Sequence, residues 1–150
     1  MHIYIDADAC PVREETYKVA RRHGVPVTVV SNSFLRVPRE PLIKFIAVSD
    51  SFDAADDYIA ERADADAIVI TADILLAERC LKSGAVVLGS NGKPFTMNSI
   101  GSAIATRAIM ADLRARADIP NLGGPPPFSD RDRSRFLEAL HVTLEKLKRR

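Results

Sequence analysis

Residues 2–30 read HIYIDADACPVREETYKVARRHGVPVTVV, and the fold is decided there. His2 to Asp6 is a short β-prone run. Pro11 stands where a helix can begin without losing a hydrogen bond, so a helix is predicted from about Pro11 to His23. Gly24 ends it, and Val25 to Val30, rich in β-branched residues, reads as a second buried strand. Two strands joined by a helix imply parallel pairing, because parallel neighbours need a long crossover.

The same alternation continues. Ser31 to Pro41 contains Pro38 and Pro41 and reads as a loop, followed by a third strand from Ile43 to Val48. Asp50 or Ser51 can cap a helix running to about Ala63. Ala67 to Ile70 is a strand, Ile74 to Lys82 a helix stopped by Gly84, and Ala85 to Leu88 a further strand. Asn91-Gly92 and Pro94 mark a turn. Asn98 to Ala117 carries Ile100, Ile104, Ile109 and Leu113 on a long predicted helix. The run 121–127, with two glycines and three prolines, is neither helix nor strand. Asp130 to Lys148 has Phe136, Leu137, Leu140, Leu144 and Leu147 at helical spacing, as expected for a helix laid on the body of the domain. The prediction is one α/β domain over residues 1–150 with a mostly parallel sheet. Residues 121–150 form a Gly/Pro-rich loop and a C-terminal helix packed on the rest.

Composition fits this. With 47% hydrophobic residues in 150, the chain can bury a core of ordinary size. No run reaches the roughly 20 apolar residues of a membrane span, and the N-terminus lacks the layout of a signal peptide. Cys10 and Cys80 have no CxxC spacing. A cytoplasmic protein is expected. The net charge of +1 is unevenly spread: residues 1–78 hold 14 acids against 8 Lys or Arg, and residues 79–150 hold 6 against 13. An acidic metal-binding side joined to a basic, phosphate-receiving side fits that split. Solvated cations at a helix C-terminus (Lys146, Lys148, Arg149, Arg150) fit it as well.

Ligands of open parallel sheets bind outside the carboxyl ends of the strands. The acids fall there. The first strand leads into Asp6 and Asp8, which share a side if the strand stays extended through Asp8. Two neighbouring carboxylates repel unless a cation compensates them, and oxygen ligands suit Mg²⁺ or Mn²⁺. The third strand precedes Asp53, Asp56 and Asp57, whose i, i+3 and i+4 spacing lets them share a helix face, with Phe52, Ala55 and Ile59 turned to the sheet. Capping and the helix dipole explain any one of these acids equally well. The fourth strand delivers Thr71-Ala-Asp73, where Asp73 is also a natural N-cap. If these strands adjoin, Asp6, Asp73 and the Asp53 to Asp57 group meet in one pocket, suited to metal-assisted phosphodiester hydrolysis.

Other residues admit two readings. Asn32 and Ser33 could reach a phosphate or orient a carboxylate, and a turn explains them equally. Arg107, among apolar neighbours on the long helix, is the best basic residue for an acid or phosphate. Gly123 and Gly124 could turn N–H groups toward an anion, or simply link to the last helix. Cys10 beside a helix N-terminus could be a nucleophile, but no histidine stands near it in sequence, and a packed thiol is preferred. His2, His23 and His141 read as structural. With 6% aromatic residues, no stacking platform for bases is expected.

The Asp6-Ala-Asp-Ala-Cys-Pro start, Asn32-Ser33, Asp53-Ala-Ala-Asp-Asp, Ile70-Thr-Ala-Asp73-Ile-Leu-Leu-Ala and Gly123-Gly-Pro with Phe128 together resemble the bacterial YaiI/YqxD family. These motifs extend from residue 3 to about residue 136. The resemblance implies a three-layer α/β/α, PIN-like domain of a family whose function is unassigned. Many PIN-like domains are metal-dependent ribonucleases. It therefore implies a Mg²⁺ or Mn²⁺ site built from Asp6, Asp8, Asp53, Asp56, Asp57 and Asp73, with Asp6, Asp57 and Asp73 catalytic. Asn32, Ser33, Thr71, Arg107, Gly123 and Gly124 are the expected contacts to RNA or another phosphate-bearing ligand. Asp8, Cys10 and the Gly-Gly-Pro loop depart from an ordinary PIN domain.

A metal-dependent nuclease or phosphodiesterase is thus the first functional expectation. Asp6-x-Asp8 is also the pattern of haloacid dehalogenase-type phosphatases, with Asp6 as nucleophile. Ala9-Cys10 after the pair, and acids that precede the Thr-x-Asp strand, fit that pattern poorly. A non-catalytic PIN-like module binding RNA or protein is the third reading.

Overall fold

The computed structural model describes residues 1–51, 53–115 and 127–150. Five strands and five α-helices alternate: β1 (His2–Asp6), α1 (Arg13–His23), β2 (Val27–Ser31), β3 (Ile43–Ala47), α2 (Ala54–Arg62), β4 (Ala67–Ile70), α3 (Ile74–Lys82), β5 (Val86–Leu88), α4 (Met97–Ala115) and α5 (Asp130–Lys148). All four strand pairings are parallel, in the order β3-β2-β1-β4-β5. The chain therefore winds outward from β1 in one direction, returns, and winds outward in the other.

Strand alternation divides the core. Ile3, Ile5, Val27, Val29, Ile68 and Ile70 point to one face, where they meet Tyr17 and Ala20 of α1 and Phe136, Leu140 and Leu144 of α5. Val30, Val69 and Val87 point to the other, against Ile59 of α2, Leu76, Ala77 and Cys80 of α3, and Ile100 of α4. The result is a three-layer α/β/α fold. Every residue of β2 and β4 is buried, as expected for parallel strands covered on both sides. Two glycines shape the ends. Gly24 closes α1 in the left-handed conformation (φ 67°), and its N–H reaches back to the last turn. Gly92, at φ 82°, seats the turn after β5 on α5 so tightly that an added Cβ would lie 2.6 Å from the Arg135 carbonyl oxygen.

Three expectations shift. α1 begins at Arg13, because residues 7–9 form a 3₁₀ turn directly after β1. α2 begins at Ala54, with Asp53 at its N-cap instead of Asp50 or Ser51. Among the described side chains of α4 only Ile100 is buried, and Ile104 and Ile109 are exposed. α5 spans the predicted residues, and a reciprocal capping box between Ser129 and Asp132 sets its start. Among the described residues no helix is long and apolar enough to cross a membrane.

Candidate active site at the carboxyl edge of the sheet

In a doubly wound sheet the crevice opens where two adjacent strands send their connections to opposite faces. Here that point lies between β1 and β4, which pair directly. α1 follows β1 on one face, and α3 follows β4 on the other. Asp6 ends β1, and Thr71-Ala72-Asp73 continues β4 at the same edge.

The Thr71 side chain joins the two strand ends. It is buried, its hydroxyl donates to Asp6 Oδ2 at 2.8 Å, and its oxygen accepts the Asp73 N–H at 3.0 Å. Thr71 was expected to touch substrate. Its burial and its two hydrogen bonds make it a residue that positions Asp6 and the backbone at Asp73. Asp73 Oδ1 accepts from Leu75 N–H at 2.8 Å and Leu76 N–H at 3.2 Å, so Asp73 does cap α3. Capping engages one carboxylate oxygen.

Asp8 does not continue β1. The 3₁₀ turn swings it across to β2, where Ser31 Oγ donates to its Oδ1 at 2.6 Å and the Asn32 N–H adds a bond of 3.3 Å. Ser33 N–H bonds Ser31 Oγ at 3.1 Å. Asn32 and Ser33 thus help to fix a carboxylate through their backbone. The side chain that does most of this, buried Ser31, carries no motif; only its place as the last residue of β2 could have indicated it.

The α2 acids separate. Asp53 precedes the helix without a side-chain capping bond, so its carboxylate is not engaged there. Asp56 is half-buried, and its pKa is pushed up to about 6 by burial, by the charges of Asp73 and Asp6, by a hydrogen bond its acid form shares with Asp73, and by Asp53. Burial also raises the Asp6 pKa. The Thr71 hydrogen bond opposes this shift, and the charges of Asp8 and Asp73 add to it. The charges of Asp8 and Asp73 act on Asp6, and those of Asp6, Asp53 and Asp73 act on Asp56, so the five acids form one electrostatic group. Asp57, expected with them, instead pairs with Arg79 of α3 at 2.8 Å on the surface. Arg107 stands exposed on α4 and makes no ion pair with another described residue. Gly123, Gly124 and Phe52 lie outside the described residues.

The donors are all hard oxygens, which fits Mg²⁺ or Mn²⁺. They are not a closed shell: among the described residues no three of these acids offer oxygens mutually within 4.8 Å. Mg²⁺ binds readily through one or two carboxylates while keeping several waters, so this spacing is compatible with it. Cys10 is no competing nucleophile. Burial pushes its thiol up to about 11, leaving it protonated at neutral pH.

One further feature borders this edge, and a second starts beyond β2 and runs along β3. A recess of about 280 Å³ lies beside Ala72, bounded by Ser90, Asn91, Phe128 and Asp132. Past Ser33, Phe34 is 83% exposed, and together with Arg36, Arg39 and Phe45 it lines a concavity of about 600 Å³. The low aromatic content gave no indication of such a surface.

Comparison with known proteins shows the family of the chain. A "UPF0178 protein" of Sphingopyxis alaskensis is 67% identical over 147 residues, covering 98% of this chain and 95% of that one. Proteins of the same description from Rhodopseudomonas palustris (strain BisB5) and Nitrobacter winogradskyi are 56% and 54% identical, each over 99% of this chain and over 89% and 94% of their own. No solved structure matches the chain significantly. The family model described as "Uncharacterized BCR, YaiI/YqxD family" matches residues 4–146, and the chain belongs to that family.

Proposed function

We propose that the carboxyl edge between β1 and β4 is a divalent-metal site that hydrolyses phosphodiesters, with single-stranded RNA as the preferred substrate class. The observation that carries this reading is the placement of Asp6 and Asp73 on the two strands that flank the switch point, tied by Thr71. Asp56 extends the group from the α2 side. A carboxylate crowded by like charges keeps its proton to higher pH until a cation offsets them, and the pKa of Asp56 is raised to about 6 by burial and by such charges.

Mg²⁺ or Mn²⁺ bound there would offset this charge and supply polarisation of a phosphate oxygen. The residues of the chain divide the remaining work. Asp6 and Asp73 would hold the ion, and Asp8 and Asp53 would add to the acidic charge around it. Thr71 aims Asp6, and Ser31 aims Asp8. Asp56, half-buried beside Asp6 and Asp73, would be ionised once a cation offsets their charge and is suited to take a proton from an attacking water. Phe34 offers a face on which a base can stack, and Arg36 and Arg39 beside it favour the phosphate backbone. Asp57 is engaged by Arg79 and has no part in this assignment.

Incubation of the protein with a pool of short single-stranded RNAs and Mn²⁺ tests the reading. Cleavage that chelator abolishes is expected, with a drop of at least ~100-fold in Asp6→Asn and in Asp73→Asn. Asn remains a good N-cap, so the second variant removes charge while keeping α3 capped. Full cleavage by both variants would sink the proposal. Trapping of a phosphoaspartate on Asp6 would replace it with the phosphatase reading.

A further inference from the structure

The opposite end of the molecule holds a second group of ligand-competent side chains. His23 is the last residue of α1, at the edge where β2 begins. His141 and Glu145 lie one turn apart on the same face of α5. His23 Nε2 and His141 Nδ1 are 2.8 Å apart, and His23 Nδ1 is 3.5 Å from Glu145 Oε1. One ligand atom from each of the three residues falls within 4.8 Å of the other two, a grouping found nowhere else among the described His, Cys, Asp and Glu side chains. The His23 side chain is only 3% exposed. Beside it, a recess of about 500 Å³ between α1 and α5, lined by Lys18, Arg22 and His141, opens to solvent.

A cation already sits at this group. Lys148 Nζ lies 2.7 Å from His23 Nδ1. An ammonium can only donate, so His23 Nδ1 accepts, its proton resides on Nε2, and Nε2–H donates to His141 Nδ1. His23 is therefore an uncharged imidazole whose lone pair faces a cation, with a carboxylate nearby. Burial, the Lys148 charge and His141 all lower its pKa and so favour the neutral form. Metal ligation requires that form.

We propose that His23, His141 and Glu145 bind one divalent transition-metal ion of the zinc class, which displaces the Lys148 ammonium from His23 Nδ1. Two imidazoles and a carboxylate suit Zn²⁺ and Co²⁺ far better than Mg²⁺, and three protein ligands leave a tetrahedral ion one position for water or an anion. Binding opens the imidazole–imidazole hydrogen bond and frees Lys148 to solvent. This ion would cross-link α1 to α5, independently of any activity at the acidic edge.

Co²⁺ titration of the full chain, followed by visible absorption, and Zn²⁺ titration by calorimetry test this. The expected result is one tight Zn²⁺ site with the absorption of four-coordinate Co²⁺. Glu145→Gln should weaken binding at least ~tenfold, His141→Ala should abolish it, and Lys148→Met should tighten it. Asp6→Asn should leave it unchanged, and circular dichroism checks that each variant is folded. No Zn²⁺ binding by the wild type and Lys148→Met alike, or binding that survives both His141→Ala and Glu145→Gln, overturns the proposal. So does binding lost in Asp6→Asn, which would place the ion at the acidic edge.

Discussion

The two ends of this sheet collect charged side chains in opposite ways. At the carboxyl edge, Asp8, Asp53 and Asp73 add like charge around Asp6 and Asp56, and the oxygens of these five acids remain too dispersed to form a closed shell. At the amino edge, two histidines and a glutamate are drawn together within hydrogen-bonding reach, and a lysine already supplies the cation. The first arrangement retains unbalanced charge. The second is balanced internally and packed between α1 and α5. Unbalanced charge beside a switch point costs stability and is the usual mark of a reacting site, while a balanced cluster between helices contributes to holding them together.

Replacements at the carboxyl edge test that contrast, beginning with the largest expected effect. Thr71→Val keeps the packing but leaves Asp6 Oδ2 without its donor and the Asp73 N–H without its acceptor. RNA cleavage should fall at least ~tenfold, and chemical denaturation should show a loss of about 1–3 kcal/mol, with Thr71→Ser restoring both. Unchanged cleavage would mean that the tie between strand ends does not aim Asp6.

Phe34→Ala should weaken RNA binding by about tenfold, as loss of one stacked base does, while leaving metal binding intact. Fluorescence anisotropy with a labelled single strand checks it.

Asp56→Asn addresses the charge imbalance directly. Its folded pKa, about 6, lies above the ordinary value of 3.8, so the folded chain binds the proton more strongly than the unfolded chain. Stability is then greatest below about pH 4, falls as pH rises through the window from about 4 to 6, and levels off above it. The Asn variant should lack this slope and be more stable than wild type at pH 7 by on the order of 1 kcal/mol, after allowance for solvent screening of a half-exposed group. Equal slopes in urea melts from pH 4 to 7 would contradict the crowding of Asp56.

The smallest effect belongs to Asp57→Asn. Its surface pair with Arg79 contributes about 0.2–1 kcal/mol, and cleavage should not change. A loss of activity there would return Asp57 to the site and break the division of the α2 acids.

Much of the fold was legible because its signals are local. Gly24 and the β-branched runs mark where elements begin and end, and α5 begins and ends at the predicted residues. Helix exposure was less legible. The apolar residues of α4 named no partner in the sequence, and Ile104 and Ile109 stay exposed because neighbours in space decide burial and α3 covers only one side.

The site divides in the same way. Asp6 and Asp73 follow from strand ends alone. The helical i, i+3, i+4 rule could not separate Asp56 from Asp57, because Arg79 on the neighbouring helix decides which way Asp57 turns. Ser31 and the His23–His141 contact were invisible for the same reason: their partners are 23 and 118 residues away in the chain.

The central claim is that Asp6 and its neighbours hold a divalent ion. Mn²⁺ titration by calorimetry, at pH 7.5 or so where Asp56 is ionised, tests it most directly on the wild type and Asp6→Asn, each carrying His141→Ala to silence the other cluster. The account predicts Mn²⁺ binding in the first protein, weaker at about pH 5 where protons compete, and its loss in the second. Absence of Mn²⁺ binding in the first, or equal binding in both, would contradict it.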